Sequence, residues 1–228
     1  MKIPCFIFAR KNSKGLKNKN KLLLQGKTLI HHAIQYAMNS KYVSSVVVST
    51  DDPVIFRIAK KLKCILIYPR PKKLCTDAAT TEQALGHALK FYEKKFSKID
   101  IFAYLQVTEP LRPKGILDKC ISNLIKNKKV DTSFAGFVTH KNYWINQSNN
   151  NYKLISPRNE SIKPRQKKAE IIREDTGIAL ASRKRVFKKY KKRIGKKIII
   201  EKYSGLEGLI DIHTKKDLQL ARIISKII

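Results

Sequence analysis

Short aliphatic runs alternate along this chain with longer stretches whose apolar residues recur at helical spacing. No other feature restricts the fold as much. Residues 3–9 (IPCFIFA) are an uninterrupted apolar run ending at Arg10-Lys11, the pattern of a strand covered on both faces. Residues 28–39 follow with a helical repeat, and 45–49 (SVVVS) read as the next strand. Asp51-Asp52-Pro53 then puts acceptor side chains beside a proline, which marks the start of a helix running to about Leu62. The alternation continues with a strand at 64–68, a helix at 80–96, a strand at 100–106, a helix at 115–127 and a strand at 132–138. Further strands fall at 177–182 and 197–201, and a last helix starts near Thr214. This order predicts an α/β fold with a Rossmann-like, open, mostly parallel sheet flanked by helices.

The pattern breaks from about 140 to 175, where Asn, Lys, Ser and Pro surround the isolated aromatics Tyr143, Trp144 and Tyr152. This segment reads as an excursion from the sheet, a hairpin or dimerisation arm. At 228 residues, against roughly 150 per domain, residues 1–228 are expected to form a single domain containing it.

Charge narrows the partners. Lys+Arg 49 against Asp+Glu 17 gives a net charge of +32, so an anionic substrate or partner is expected. Lysine supplies 38 of the basic residues and arginine 11. Lysine with abundant Ile and Asn is what an A+T-rich coding sequence leaves on a surface, so the arginines carry more information. The densest cluster, residues 183–197, holds 10 basic residues in 15, with Phe187 and Tyr190 interleaved. It reads as a solvated helix face capable of nonspecific contact with nucleic acid, and the alternative reading is a nucleic-acid-binding protein. Cys5, Cys64, Cys75 and Cys120 have neither the density of a disulfide scaffold nor metal-ligand spacing. No apolar stretch approaches the ~18 residues of a membrane span, and the expected location is the cytoplasm.

Chemistry concentrates in the loop after the first strand, Arg10-Lys11-Asn12-Ser13-Lys14-Gly15, continued by Lys19-Asn20-Lys21. Open α/β sheets bind ligands at the carboxyl ends of their strands. A basic, glycine-containing loop there can cradle phosphate with backbone N–H groups and cationic side chains. It is neither a Walker A loop nor G-x-G-x-x-G.

Several segments then occur in a telling order. Arg10-x-Asn12-Ser13-Lys14-Gly15 with Lys19-Asn20 is followed by Ser49-Thr50-Asp51-Asp52 and by Arg70-Pro71-x-x-Leu74-x-Thr76-Asp77 with Thr80-Thr81. Leu105-Gln106-x-Thr108-x-Pro110-Leu111-Arg112, Pro164-Arg165-Gln166 and Asp211-Ile212-His213-Thr214-x-x-Asp217-Leu218 complete the series. Together they resemble the motifs of the acylneuraminate cytidylyltransferases, over nearly the whole chain. The resemblance implies a fold of the nucleotide-diphospho-sugar transferase type. It also implies a reaction: the anomeric hydroxyl of an acidic nine-carbon sugar attacks the α-phosphorus of CTP, with Mg²⁺ assisting, to give a CMP-sugar and pyrophosphate. Related alternatives keep the fold and change the nucleotide, or take a 3-deoxy-octulosonate.

By the same resemblance Arg10, Lys14 and Lys19 act on the triphosphate as catalytic cations. Ser13, Gly15, Asn20, Arg70 and Thr81 join them in holding the nucleotide. Gln106, Arg112, Arg165, Gln166 and Arg173 would hold the sugar, and Asp211 would ligate Mg²⁺ with His213 beside it. The segment 140–175 would pair two copies into a homodimer. Three departures stand out. His213, a poor Mg²⁺ ligand, replaces the family's second metal aspartate. Val107 and Glu109 interrupt L-Q-P-T-S-P-L-R, and Glu174-Asp175-Thr176-Gly177 replaces R-P-N-G. These favour a pseudaminate- or legionaminate-type sugar over sialic acid, and His213 also raises the possibility of an inactive homologue.

Overall fold

A computed structural model describes residues 1–12, 15–155, 159 and 162–228. Ser13 and Lys14 of the basic loop therefore lie outside the described residues. The strands are β1 (Pro4–Ala9), β2 (Leu23–Leu24), β3 (Lys27–Thr28), β4 (Ser45–Thr50), β5 (Ile65–Ile67), β6 (Ile101–Leu105), β7 (Thr132–Thr139), β8 (Trp144–Ser148), β9 (Asn151–Leu154), β10 (Ile171–Glu174), β11 (Leu180–Arg183) and β12 (Ile198–Tyr203). The helices are α1 (Leu29–Met38), α2 (Pro53–Lys61), α3 (Thr81–Lys95), α4 (Ile116–Lys126), α5 (Lys184–Tyr190) and α6 (Lys215–Ile224).

Across the main sheet the order runs β5-β4-β1-β6-β11-β7, with β12 on the far edge of β7. Pairs β5–β4, β4–β1, β1–β6 and β7–β12 are parallel. β11 is antiparallel to both of its neighbours. β10 pairs with β7 at Gly136–Thr139 and β11 pairs with it at Thr132–Phe134, so the two form one edge with a break between them. The sequence reading placed 171–175 outside the sheet. Ile171 and Ile172 are too short an apolar run to reveal β10, whose pairing comes from the length of β7.

β1 sits at the centre and shows why its apolar run is continuous. Ile3, Cys5, Ile7 and Ala9 face one core with α1, α2, α4 and α6. Phe6 faces the opposite core with Phe102, Leu85 and Leu89 of α3. A strand covered on both faces has no solvent side to leave polar.

Local signals set the helix starts. Asp52 caps α2, its Oδ1 accepting from Val54 N at 2.8 Å, and Pro53 needs no donor there. Thr80 and Gln83 close a capping box on α3, and Thr214 with Asp217 does so on α6. The excursion contains the β8–β9 hairpin, antiparallel and solvent-exposed. Cys5 and Cys120 are buried, Cys64 and Cys75 half-buried, and all four are free thiols. Among the described residues no helix is long and apolar enough to cross a membrane.

Candidate active site

Two adjoining pockets open at the carboxyl ends of β1 and β6. The first, about 370 Å³, gathers Arg10, Gly15, Lys19, Asn20, Arg70, Thr81, Gln106 and His213. Its floor is Phe8 and Tyr104, with ring centroids 5.8 Å apart. Arg70 lies 5.8 Å above the Phe8 ring, and Arg193 lies 5.6 Å from the Tyr104 ring. The pocket thus offers aromatic surface flanked by cations, and its open side is basic.

The loops are fixed by the motif residues themselves. Asp51, just past β4, accepts from Lys11 N at 2.7 Å. Asn20 donates from its side chain to the Arg10 carbonyl at 3.0 Å. The Thr50 carbonyl accepts from Arg70 N at 2.9 Å. The Ser49–Asp52 segment therefore positions both the basic loop and the Arg70 loop. Asp52 further pairs with Lys21 at 2.8 Å. Gly15 lies against the His213 carbonyl, where a Cβ would sit 3.0 Å away. That close approach joins the basic loop to the Asp211–His213 segment.

The cations share one field. Burial pulls the Lys19 ammonium below its ordinary pKa, while Asp211 opposes that pull and Arg10 adds to it. Arg70 is shifted down by burial as well. Arg10 pairs with Asp77 at 2.6 Å. Cations desolvated and mutually repelling in this way are poised to receive a polyanion.

The second pocket, about 300 Å³, shares Gln106 with the first and is bounded by Glu109, Arg173, Glu174, Asp175, Gly177 and Asp211. Arg173 donates to both oxygens of Asp175 at 2.7 and 2.8 Å, and also to the Gly208 carbonyl. Its guanidinium lies 5.0 Å from the Phe137 ring, and the hydroxyl of Tyr203 donates to Asp175. The bond to Asp175 raises the Arg173 pKa above its ordinary value. The arginine is thus held in one orientation before anything binds.

Asp211 and His213 meet at the junction of the pockets, Oδ2 to Nε2 at 2.9 Å. Both side chains are about half exposed. Among the described residues no three His, Cys, Asp or Glu side chains cluster as a metal cage. The donor set still fits Mg²⁺, which takes one or two carboxylates together with substrate phosphates. Here the carboxylate is Asp211, and the imidazole adds no hard ligand.

Three residues expected at the sugar do not reach this pocket. Arg112 is buried behind it, donating from Nε to the Ile178 carbonyl at 3.0 Å and from Nη2 to the carbonyls of Gln106 and Gly177. Nε and Nη2 are held by main chain, so it positions the pocket wall, while Nη1 is buried without a hydrogen-bond partner. Arg165 and Gln166 lie on an exposed 3-10 turn, Arg165–Lys167. Arg165 lines a separate groove with His140, Lys168 and Tyr203, and that groove shares no lining residue with either pocket. The turn belongs to the chain outside the sheet, between β9 and β10, which carries it away.

The cluster at 183–197 is partly internal. Arg183 is buried and pairs with Asp100 at 2.9 Å. Lys184 pairs with Glu93, Arg185 with Asp131 and Arg193 with Glu82. Sequence reasoning missed Arg193 beside the Tyr104 ring because it sits among lysines. It also passed over Phe8 and Tyr104, although their alternation with Phe6 and Phe102 on β1 and β6 was available as a signal.

Fold and site together define a nucleotidyltransferase of the nucleotide-diphospho-sugar transferase type. The chain belongs to the cytidylyltransferase family, whose sequence profile matches residues 5–224. It is 27% identical over 236 residues to the pseudaminic acid cytidylyltransferase of Campylobacter jejuni subsp. jejuni serotype O:23/36 (strain 81-176), spanning all of this chain and 97% of that protein. It is 38% identical over 111 residues to the N-acylneuraminate cytidylyltransferase of Escherichia coli O18:K1:H7 (strain RS218 / NMEC), covering 49% of this chain but 25% of that one. These relatives bear out the acylneuraminate resemblance read from the motifs. A solved CMP:2-keto-3-deoxy-manno-octonic acid synthetase complexed with CTP superimposes with a TM-score of 0.72 over 100% of this chain and 99% of its own. At 17% identity that likeness bears on fold alone.

Proposed function

We propose that the protein is a CMP-nonulosonate synthetase, which transfers CMP from CTP to the anomeric hydroxyl of an acidic nine-carbon sugar and releases pyrophosphate. One observation carries the reading. A basic pocket with an aromatic floor adjoins a second pocket holding a preoriented arginine, and Gln106 forms part of both walls.

In this reading Arg70, Asn20 and Thr81 hold the nucleoside over Phe8 and Tyr104. Arg10 and Lys19 meet the triphosphate. Charge builds on the leaving pyrophosphate as the bond from the α-phosphorus to it breaks, and fixed cations there stabilise the transition state more than the ground state. Arg173, locked by Asp175, presents a cation for the sugar carboxylate. Gln106 donates to Thr108 Oγ1 at 2.9 Å and stands where the sugar and nucleotide meet. Mg²⁺ would be held by Asp211 and would neutralise phosphate charge. Two copies would associate through the exposed β8–β9 hairpin.

The test is pyrophosphate release from CTP and Mg²⁺ with N-acetylneuraminate, legionaminate, pseudaminate and a 3-deoxy-octulosonate, using ATP, GTP and UTP as controls. Release with CTP and a nonulosonate is expected. Release only with the octulosonate, or only with another nucleotide, overturns the reading. So does silence throughout.

A further inference from the structure

The basic cluster at 183–197 puts one arginine behind both pockets. Lys188, Lys189, Lys191 and Lys192 before it are exposed, whereas the Arg193 side chain is only 19% exposed. The backbone there is pinned to β7. Thr132 donates from Oγ1 to the Arg193 carbonyl at 3.3 Å and accepts from Gly195 N at 3.0 Å. Arg193 lines neither pocket, yet it touches a wall of each.

Its guanidinium has three engagements. The central carbon lies 5.6 Å from the Tyr104 ring, on the floor of the first pocket. Nη1 donates to Glu82, in the first turn of α3 and next to Thr81, and the Thr81 side chain in turn lies against the Tyr104 hydroxyl. Nη2 donates to Thr176 Oγ1 at 3.3 Å, and Thr176 is part of the wall of the second pocket. Because the Thr176 oxygen accepts from Arg193, its own proton is left to donate, with Glu174 Oε1 standing 3.5 Å away. Nε is buried without a hydrogen-bond partner, so the charge is met by the Glu82 carboxylate and the Tyr104 ring. Lysine cannot do the same, since an ammonium is a single point and a planar fork serves a carboxylate, a ring and a hydroxyl in fixed directions.

We propose that Arg193 is a positioning residue for both substrates. Through Glu82 and Tyr104 it sets the Thr81 wall and the aromatic floor that receive the nucleoside, and through Thr176 it aims a hydroxyl donor at the acid sugar. The inference rests on the reading of the two pockets as nucleotide and sugar sites. Arg193 itself meets neither substrate.

The test uses the full-length enzyme, calorimetric titration with CTP and Mg²⁺, and steady-state kinetics with whichever of N-acetylneuraminate, legionaminate and pseudaminate it turns over. Arg193→Met keeps much of the side-chain length and removes the fork. It is expected to weaken CTP binding and raise the sugar KM, each about fivefold, the scale of one lost cation–π contact or hydrogen bond. The kcat should change little, because no reacting atom loses a contact. Thr176→Val is expected to raise the sugar KM by a similar factor and to leave CTP binding unchanged. Adding Arg193→Met to it should raise the sugar KM no further, the non-additivity of two residues acting as a unit. Arg193→Lys retains the pair with Glu82, so CTP affinity and the melting temperature should recover while the sugar KM stays high. A merely structural arginine behaves otherwise: in Arg193→Lys the melting temperature and both substrates move together, and the effects of Arg193→Met and Thr176→Val add. Either result overturns the inference, as do unchanged constants in Arg193→Met. If Arg193→Met does not fold, Arg193→Lys alone and combined with Thr176→Val decides in the same way. An unaltered enzyme that turns over none of the sugars removes the synthetase reading and this inference with it, whereas turnover with any of the overturning results removes this inference alone.

Discussion

Arg112 donates to the Gln106 carbonyl from Nη2 and, from Nε, to the Ile178 carbonyl at 3.0 Å. One buried side chain thus ties the end of β6 to the break between β10 and β11, which form facing walls of the second pocket. Replacing it with methionine keeps much of the volume and leaves those carbonyls without a donor. Arg112→Met is expected to lose about 2–4 kcal/mol of stability, each unsatisfied buried group costing roughly 1–3 kcal/mol. Urea unfolding would show this as a lowered midpoint. A direct sugar contact would instead raise the sugar KM with the midpoint unchanged.

Within the nucleotide pocket the two cations should separate kinetically. Arg70 packs over Phe8 and on the proposed reading holds the nucleoside, so Arg70→Ala is expected to raise the CTP KM with a smaller effect on kcat. On the same reading Lys19 would face the charge that develops as pyrophosphate departs, so Lys19→Ala should lower kcat by about 10²-fold, the scale seen when one preorganised donor is removed. Steady-state kinetics under saturating sugar distinguish the two patterns.

The Asp211–His213 pair gives a metal prediction. Asp211→Asn is expected to remove most activity at any Mg²⁺ concentration. His213→Asp supplies a second hard ligand, and the Mg²⁺ concentration for half-maximal rate should fall severalfold. A magnesium titration of the pyrophosphate assay reads both. An unchanged midpoint in His213→Asp would place residue 213 away from the metal.

Much of this architecture was legible in the residues, and the limits have physical causes. The apolar run of β1 announced a central strand because both faces are buried, and Asp52-Pro53 announced α2 because capping is local chemistry. β10 stayed hidden since its pairing depends on a long-range partner rather than its own composition. Motif order located Arg10, Lys19, Asn20, Arg70 and Gln106 in the clefts. It misassigned Arg112, because a buried arginine holding carbonyls and a pocket arginine look alike in one dimension. Arg165 and Gln166 lie on an exposed turn away from both pockets of the same chain, a placement that could not be read because the path of an exposed excursion is not encoded by periodicity.

Asp52 carries a pH signature. Burial pushes its carboxyl up, but the Lys21 ammonium and the N–H groups of Val54 and Ile55 together outweigh this and hold the pKa below the ordinary 3.8. A depressed folded-state value adds stability above pH 3.8 that is lost as the pH falls through the lower folded value. Asp52→Ala is therefore expected to cost about 1–2 kcal/mol at pH 7, with the cost shrinking toward zero in strong acid. Parallel thermal melts of both proteins from pH 7 downward would show the gap closing.

Association should depend on salt in the sense opposite to an ordinary ion-paired interface. Trp144 and Tyr152, on one face of the β8–β9 hairpin, are 59% and 54% exposed, an apolar surface on a chain of net charge +32. Burying it between two copies is favourable, while bringing two such charges together is not. Screening shortens from about 10 Å at 0.1 M to about 3 Å at 1 M salt, which weakens the repulsion and leaves the apolar term. Sedimentation velocity is expected to show a dimer fraction that rises with sodium chloride. Trp144→Ser combined with Tyr152→Ser should give a monomer at every salt concentration. Dimerisation that weakens with salt would mean that cross-subunit ion pairs hold the interface, and a monomer throughout in the unaltered protein would exclude the hairpin as an interface.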